Sequence, residues 1–528
     1  MLSVKKSFKY WALLGSLLVT ALFVLAACGS EEATPTPRPT ATATATATPT
    51  GPTRGGTLRV AMGGDNNTLD PAHSLSPQDQ AFSQTVYDNL VLRQHDGSLK
   101  PMLATSWEPN ADLTAYTFHL REGVKFHHGK DFNADDVVFT FKRLIDPATG
   151  SPAASALSSI KDIVKVDEFT VRFDLNSPDS FFPDTLSLYQ GRIVPSDIDP
   201  VRFATEEFGT GPFINEEYLP GERAVFKRNP DYWEEGRPYL DEVIFYYMPE
   251  PETRIEALKT GAVDVFHELD AVAVDSVEAN PGTWVSEVAS PGYLNMAMDI
   301  TQDPFGDKLV RQAFQAATDR EAIRQVALFG RGIVGNDIPI PPTDPHYDSS
   351  QPITPYDPEH AKELLAQAGY PDGIDITLYT STITFGMVEM AVAFKESAAP
   401  AGIRVSIERA PEDVYWSNVW MTEAFTTVGW NGRGPDQALS MVYMSDAPWN
   451  ETRINIPELD ALIIKARGQV TVEERAATYA EVQRILIDDA SRIIAVFRPM
   501  FTGLSDNVHG VAAHPNTWLL LTEAWIQK

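Results

Sequence analysis

The sequence predicts a mixed α/β fold of more than one domain, on three observations. Its 528 residues exceed what one hydrophobic core usually organises, at about 100–200 residues per domain. Hydrophobic residues make up 43% and charged residues 22%, the balance of a chain with a sizeable core, which excludes bulk disorder. Short β-branched and aromatic runs alternate with capped helical segments from residue 55 onward.

The N-terminus reads as an export and anchoring device. Lys5, Lys6 and Lys9 precede an uncharged, mostly apolar run over 11–27, which is at the short limit for a membrane span. A cleaved signal peptide over 1–27 is the better reading. Leu25-Ala26-Ala27-Cys28 resembles the bacterial lipobox, in which the cysteine is lipidated and becomes the first mature residue. Cys28 is the chain's single cysteine, so disulfides within the chain and Cys-rich metal clusters are excluded. Residues 28–53 are then a lipid-anchored linker, rich in Ala, Thr and Pro, with nothing to bury against its ordering entropy. Extended at ~3.1 Å per residue, it reaches roughly 70 Å from the anchor.

Beyond the linker, strand-like runs fall at 57–62, 114–120, 169–175, 243–248, 375–380, 403–408, 425–430 and 493–497. Asn133, with Asp136 three residues on, caps a helix predicted over 134–144. Asp357-Pro358 opens another that Gly369 ends. Thr318-Asp319-Arg320-Glu321 and Thr471-Val472-Glu473-Glu474 read as capping boxes, with helices running to about 329 and 489. No repeat of solenoid period is visible, and no Pro/Gly-rich linker divides 55–528.

Charge and motifs narrow the function. Lys and Arg number 42 against 72 Asp and Glu, a formal net charge of −30. The leader holds three Lys and no acid, so removing it leaves −33. No nucleic-acid partner is expected, because phosphate binding needs a basic face. HExxH, GxSxG and P-loop motifs are absent, and no GxGxxG follows a strand. His127-His128 lies in a turn and has no further ligand near in sequence, so it reads as a polar loop and no metal is expected. Asp135-Asp136 and Asp488-Asp489 fall at helix ends on charged faces, and Arg311 and Arg320 read as ties from helices to neighbouring acids.

A collinear series of segments carries a family resemblance. It begins with Gly56-Thr57-Leu58-Arg59-Val60 and Thr68-Leu69-Asp70-Pro71, then Leu103-Ala104-Thr105-Ser106-Trp107. It continues with Tyr116-Thr117-Phe118-His119-Leu120-Arg121-Glu122-Gly123-Val124-Lys125-Phe126-His127 and Gly209-Thr210-Gly211-Pro212-Phe213. Asn229-Pro230-Asp231-Tyr232-Trp233, Gly261-Ala262-Val263-Asp264, Pro304-Phe305-Gly306-Asp307 and Val428-Gly429-Trp430 follow in order. Together they resemble family 5 of the extracellular solute-binding proteins, the oligopeptide-, dipeptide- and nickel-binding lipoproteins of ABC importers. Trp107, Phe118, Phe126, Tyr232 and Trp233 read as core aromatics within these motifs, reporting fold rather than ligand.

The resemblance implies an α/β periplasmic-binding-protein fold, type II-like, with two lobes, an extra domain and a ligand cleft between the lobes. It implies a first lobe over 54–88, 198–293 and 498–528, an additional domain over 89–197, and a second lobe over 294–497. Solute held by contacts to both lobes would close them by a hinge motion, without chemistry and without a cofactor. The expected partners are a small solute, membrane permease subunits and, through the lipid, the outer face of the cell membrane; the chain is expected to act as a monomer.

For the pocket, Trp430-Asn431-Gly432-Arg433-Gly434-Pro435-Asp436 leaves a strand into a Gly-rich loop where backbone can approach a ligand. In peptide-binding relatives the residue three after this Trp is an Asp that pairs with the peptide's α-ammonium; here it is Arg433. Two like charges 4 Å apart repel by about 4 kcal/mol at an effective dielectric near 20, so Arg433 is expected to disfavour an ammonium beside it. Asp436 could take that role instead, or serve structure. Tyr293 and Asn295 near one expected lobe crossing, Phe497 and Arg498 near the other, and Trp416 are further candidates. Trp416 and Trp420 stand i,i+4 on a predicted helix beside Tyr415, which keeps oligosaccharide open as an alternative to peptide. A nickel chelate is less favoured, for want of a ligand cluster. A sensory or adhesive surface protein would use the same leash without needing a cleft, and a hydrolase would need a nucleophile, base and oxyanion site that do not assemble.

Overall fold

Leu58, Val60, Ala61 and Met62 are buried, and the segment 57–62 forms an interior strand. In the computed structural model, which describes residues 51–528, Thr57–Met62 is the middle strand of seven, in the order Thr283–Val288, Met500–Ser505, Val265–Phe266, Thr57–Met62, Glu242–Tyr247, Arg223–Arg228, Phe213–Leu219. Leu58, Val60 and Met62 pack with Phe226 and Phe245 on one face, while Ala61 joins Leu258, Phe266 and Val274 on the other. The strand runs parallel to both neighbours. Arg59 forks onto Asp264 (Nη2–Oδ1 2.7 Å, Nε–Oδ2 2.9 Å), tying its start to the chain entering Val265–Phe266.

A second sheet of six strands runs Ile333–Val334, Arg492–Phe497, Tyr293–Met298, Phe425–Trp430, Ile374–Thr380, Ile403–Arg409. Its three strands Arg492–Phe497, Tyr293–Met298 and Phe425–Trp430 are buried on both sides. Leu294, Met296 and Phe425 face one core with Phe305, Phe314 and Phe394; Tyr293, Val428, Trp430 and Phe497 face the other with Tyr479 and Ile485. A third, antiparallel sheet of Ala104–Pro109, Ala115–Leu120, Thr170–Leu175 and Ile160–Asp167 packs against the helix Ala134–Ile145. Tyr116, Phe118 and Leu120 point inward at every second residue, as a sheet with one covered face requires.

Two short segments connect the first and second sheets. The chain leaves Thr283–Val288 and enters Tyr293–Met298, then returns from Arg492–Phe497 into Met500–Ser505. The crossings are tied: Arg498 N–H donates to the Gly292 carbonyl at 2.7 Å. A Cβ on Gly292 would stand 3.0 Å from the Trp430 carbonyl oxygen, so glycine is what lets the first crossing pass.

The caps at Asn133–Asp136 and Thr471–Glu474 form as predicted, and Asp357 caps Pro358–Gln367. One cap shifts. Asp319, not Thr318, caps Arg320–Leu328, because the Thr318 hydroxyl donates to the Phe314 carbonyl of the preceding helix. The helix expected to carry Trp416 and Trp420 is a single wide turn, Tyr415–Val419, after which the chain is extended. The leader and Cys28 lie outside the described residues; among those described, no helix is long and apolar enough to cross a membrane.

Candidate ligand cleft

Ligands of open α/β sheets bind beyond the carboxyl ends of parallel strands, where side chains and backbone groups are left without a sheet partner. In the first sheet those ends release the loops beginning at Gly63 and at His267. In the second they release Ser381–Gly386 and Asn431–Gly434. The second sheet's loops lie against other parts of the chain at three places. A Cβ on Gly432 would stand 2.9 Å from Pro291, and one on Gly434 would stand 3.1 Å from Arg93, which is ion-paired with Asp184. Phe385 packs on the cluster around Ala61 and Phe266.

Trp430 ends its strand opposite Tyr293 and is 7% exposed. Its ring lies against Trp420 (6.0 Å) and Trp449 (5.6 Å). Below it a carboxylate is saturated with donors: Glu451 accepts from Asn295 Nδ2 (2.9 Å) and Trp420 Nε1 (2.7 Å), lies 3.4 Å from Trp430 Nε1, and pairs with Arg492 (3.0 Å). Glu451 and Arg492 are both buried, where charge is tolerated only when paired. This network holds the indole rings in one orientation.

Arg433 has no such partner. Its Nη1 donates to the Asn431 carbonyl at 3.1 Å, and its guanidinium carbon lies 5.2 Å from the Trp430 ring centre and 5.4 Å from that of Trp449. Among the described residues no carboxylate comes within ion-pair distance. Burial therefore pulls the guanidinium below its usual range, with Tyr293 and Tyr189 opposing. The narrow space beside it is lined by Pro291, Tyr293, Trp430, Asn431, Ala438 and Val442. Asn431 is exposed at the strand's end.

The remaining predicted residues separate. Asp436 is held by Arg467 (Nε–Oδ1 2.7 Å), so its carboxylate is engaged within the second lobe rather than left for an ammonium. Arg498 reaches the Trp430 carbonyl through Nη2 (3.1 Å), and burial lowers its pKa to about 10. Tyr293 and Phe497 pack on each other at 5.9 Å in the wall beneath the crossings. Asn295 is fully buried, its amide committed to Glu451. Trp416 is 43% exposed and meets Trp420 edge-on at 5.2 Å. His127 is not a free loop residue: its Nε2 lies 3.1 Å from the Gly211 carbonyl, and burial holds its pKa at about 4. Arg311 and Arg320 tie to Asp489 and Asp337 as expected.

The first lobe contributes groups not singled out from sequence. Glu268 follows Val265–Phe266 by two residues with φ +57°, in the left-handed region. Its carboxylate accepts no hydrogen bond among the described residues, and burial pushes its pKa up to about 7, helped by Asp270 and opposed by Arg254 and Arg498. His267 beside it is buried and held down to about 4.

Two lobes on two tied crossings, with their parallel strands aimed at a shared cleft, define a hinge-type binding protein. A family model described as bacterial extracellular solute-binding proteins, family 5 Middle, matches residues 98–451. The chain belongs to that family, whose members are solute-binding proteins outside the cytoplasm rather than enzymes. It is similar to the heme-binding protein A of Haemophilus influenzae, 31% identical over 82% of this chain and 86% of that one. It is 29% identical to the dipeptide-binding protein of Pseudomonas aeruginosa, over 85% of this chain and 90% of that one. Among solved structures it resembles the binding protein DppA of Helicobacter pylori in complex with the peptide STSA, with TM-score 0.77, 28% identity, and cover of 90% of this chain and 99% of that one.

Proposed function

We propose that this protein captures a peptide-like solute between its lobes and delivers it to the permease of an ABC importer, acting as a monomer held to the outer membrane face by a lipid on Cys28. The observation that carries the reading is the Trp430–Gly434 loop, which meets the first lobe across the cleft with the Arg433 cation left unpaired. The dipeptide-binding and peptide-bound relatives support the solute class. The first lobe comprises 54–88, 198–293 and 498–528, the additional domain 89–197, and the second lobe 294–497. Trp430, Asn431, Arg433 and Arg498 meet the solute, with Tyr293 and Phe497 as wall, Asn295 acting through Glu451, and Asp436 holding the loop. Oligosaccharide is the weaker class: Trp430 is nearly covered and Trp416 points to solvent, so neither offers an open stacking face within the cleft.

Native mass spectrometry of the mature protein tests this. We expect co-purifying adducts that fragment as peptides or amino-acid conjugates; adducts of hexose or pentose oligomers would replace the reading with a sugar carrier. Cys28→Ser should release the protein from the membrane fraction.

A further inference from the structure

The antiparallel-sheet domain and the second lobe are not consecutive in the chain, yet they touch at residues 178–185. Two adjacent rings there serve different cores. Phe182 is fully buried in the antiparallel-sheet domain, 5.4 Å from the Phe173 ring and 5.5 Å from that of Tyr116. Phe181 instead packs on the second lobe's core, 6.2 Å from the His346 ring, with the Arg475 guanidinium carbon 4.9 Å from its own ring centre. A backbone hydrogen bond spans the same joint: Ser180 N–H donates to the Arg467 carbonyl at 2.8 Å. Arg467 ends the helix Pro457–Arg467, and the last carbonyls of a helix have no partner inside it. Its side chain holds Asp436, in the first turn of Pro435–Val442, the helix that follows Arg433 and Gly434. The segment is anchored in its own domain, where Tyr116 Oη donates to the Asp179 carbonyl at 2.8 Å and Asp179 N–H to the Leu113 carbonyl at 3.1 Å. Arg93, paired with Asp184 of the segment, brings the same domain up to Gly434, where a Cβ would stand 3.1 Å from Arg93 Nη2.

The chain joins the second lobe to the rest of the molecule through the two crossings alone, so a hinge motion there separates whatever else the two sides share. Parts of one chain that meet through a small contact move relative to each other by default. The joint at 178–185 is of that kind, with one ring and one backbone hydrogen bond reaching across. We propose that 178–185 is a clasp: Phe181 and Ser180 grip the second lobe beside the Arg433 loop, and the grip has to release before the cleft opens. The clasp acts on opening whatever the solute, so its failure leaves the peptide-like reading untouched.

A reversible cross-link tests the proposal. A Cβ on Gly468 would stand 3.9 Å from that of Pro178, within the roughly 3.5–4.5 Å a disulfide spans, and Gly468 has an ordinary φ of −82°. The double variant Pro178→Cys, Gly468→Cys is made in the full chain and extracted in detergent, with each single variant as a control that cannot cross-link. Hydrogen exchange is then followed at the amides of 431–434. With the bond formed, exchange there should slow by about tenfold or more, and dithiothreitol should restore it. Phe181→Ser should speed exchange about tenfold or more at Ser180 and at 431–434, while Phe181→Leu stays within about threefold of the unmutated protein. Exchange in the helices Ala134–Ile145 and Val472–Asp489 should not change, and thermal melts check that each variant is folded. Two cysteines that do not bond, exchange at 431–434 that is the same with the bond formed and broken, or exchange in Phe181→Ser equal to that of the unmutated protein overturns the clasp.

Discussion

Two arginines flank Trp430 and live under opposite rules. Beneath the indole, Arg492 is buried, pairs with Glu451, and lies 4.1 Å from the centre of the Tyr443 ring. Above it, Arg433 is cradled by two indole rings with only a backbone carbonyl for a partner. The lower site balances its charge within the protein, and Glu451 there orients Trp430 and Trp420. The upper site is half-buried and has no acid of its own. The difference separates a paired arginine from an unpaired one around a single indole.

The largest effect is expected on removing the acid from the lower site. Glu451→Ala strands the Arg492 cation in the core, and losing one partner of a buried pair costs about 3–5 kcal/mol. Denaturant unfolding should show that loss. Arg433→Ala should leave unfolding within about 0.5 kcal/mol of the parent, because it removes a charge that no acid stabilises. An equal loss of stability in both variants would mean the two sites do not differ.

Next in size is the pH dependence of the cleft's first-lobe side. Glu268 is raised to about 7, so the folded state holds its proton more tightly than the unfolded state. Its contribution is fully present below pH ~4.5 and is lost as pH rises through 7, up to about 3 kcal/mol in all. His267 and His514 have the reverse sign. Burial, joined at His514 by His95, lowers them to about 4 and about 3, so they stay neutral when folded while the unfolded chain protonates near 6.5. Their contribution is present above pH ~6.5 and is lost as pH falls toward 4. Glu268→Gln should therefore stabilise the apo protein at pH 8 and not at pH 4. His514→Asn should flatten the decline between pH 6.5 and 4. Unfolding free energies at pH 4, 6 and 8 check both signs.

The smallest effect is expected at Trp416. It is half out in solvent and shares one edge contact with Trp420, so Trp416→Ala should cost no more than about 1 kcal/mol and leave ligand affinity within twofold by calorimetry. A tenfold loss of affinity would place Trp416 inside the recognition surface.

How far the sequence could be read depended on whether the cause was local. The β-branched run of Phe425–Trp430 and the reciprocal cap of Thr471 and Glu474 are decided within a few residues, and both form where expected. The Thr318 cap fails by one residue because its hydroxyl satisfies the end of the previous helix first. Trp430 and Arg433 stood out because a strand runs into a glycine-rich loop. Glu451 did not, because its donors come from positions 295, 420, 430 and 492, brought together only by the register of the second sheet. Asp436 read two ways until Arg467, 31 residues away in the chain, was seen to hold it. Glu268 was invisible because nothing in its local sequence marks the left-handed backbone it adopts.

Arg331, just before the short strand Ile333–Val334 of the second sheet, reaches three acids of the first lobe: Asp275 at 3.0 Å, Glu287 at 2.9 Å and Glu278 at 3.4 Å. These contacts lie at the surface, where charges more than about 8 Å apart are already screened at physiological ionic strength. They join the two lobes whatever the cleft contains. Brine weakens them and fresh water strengthens them, so the salinity outside the cell sets the background against which a solute must act. One arginine and three acids thus carry a dependence on the medium itself as well as on what is dissolved in it.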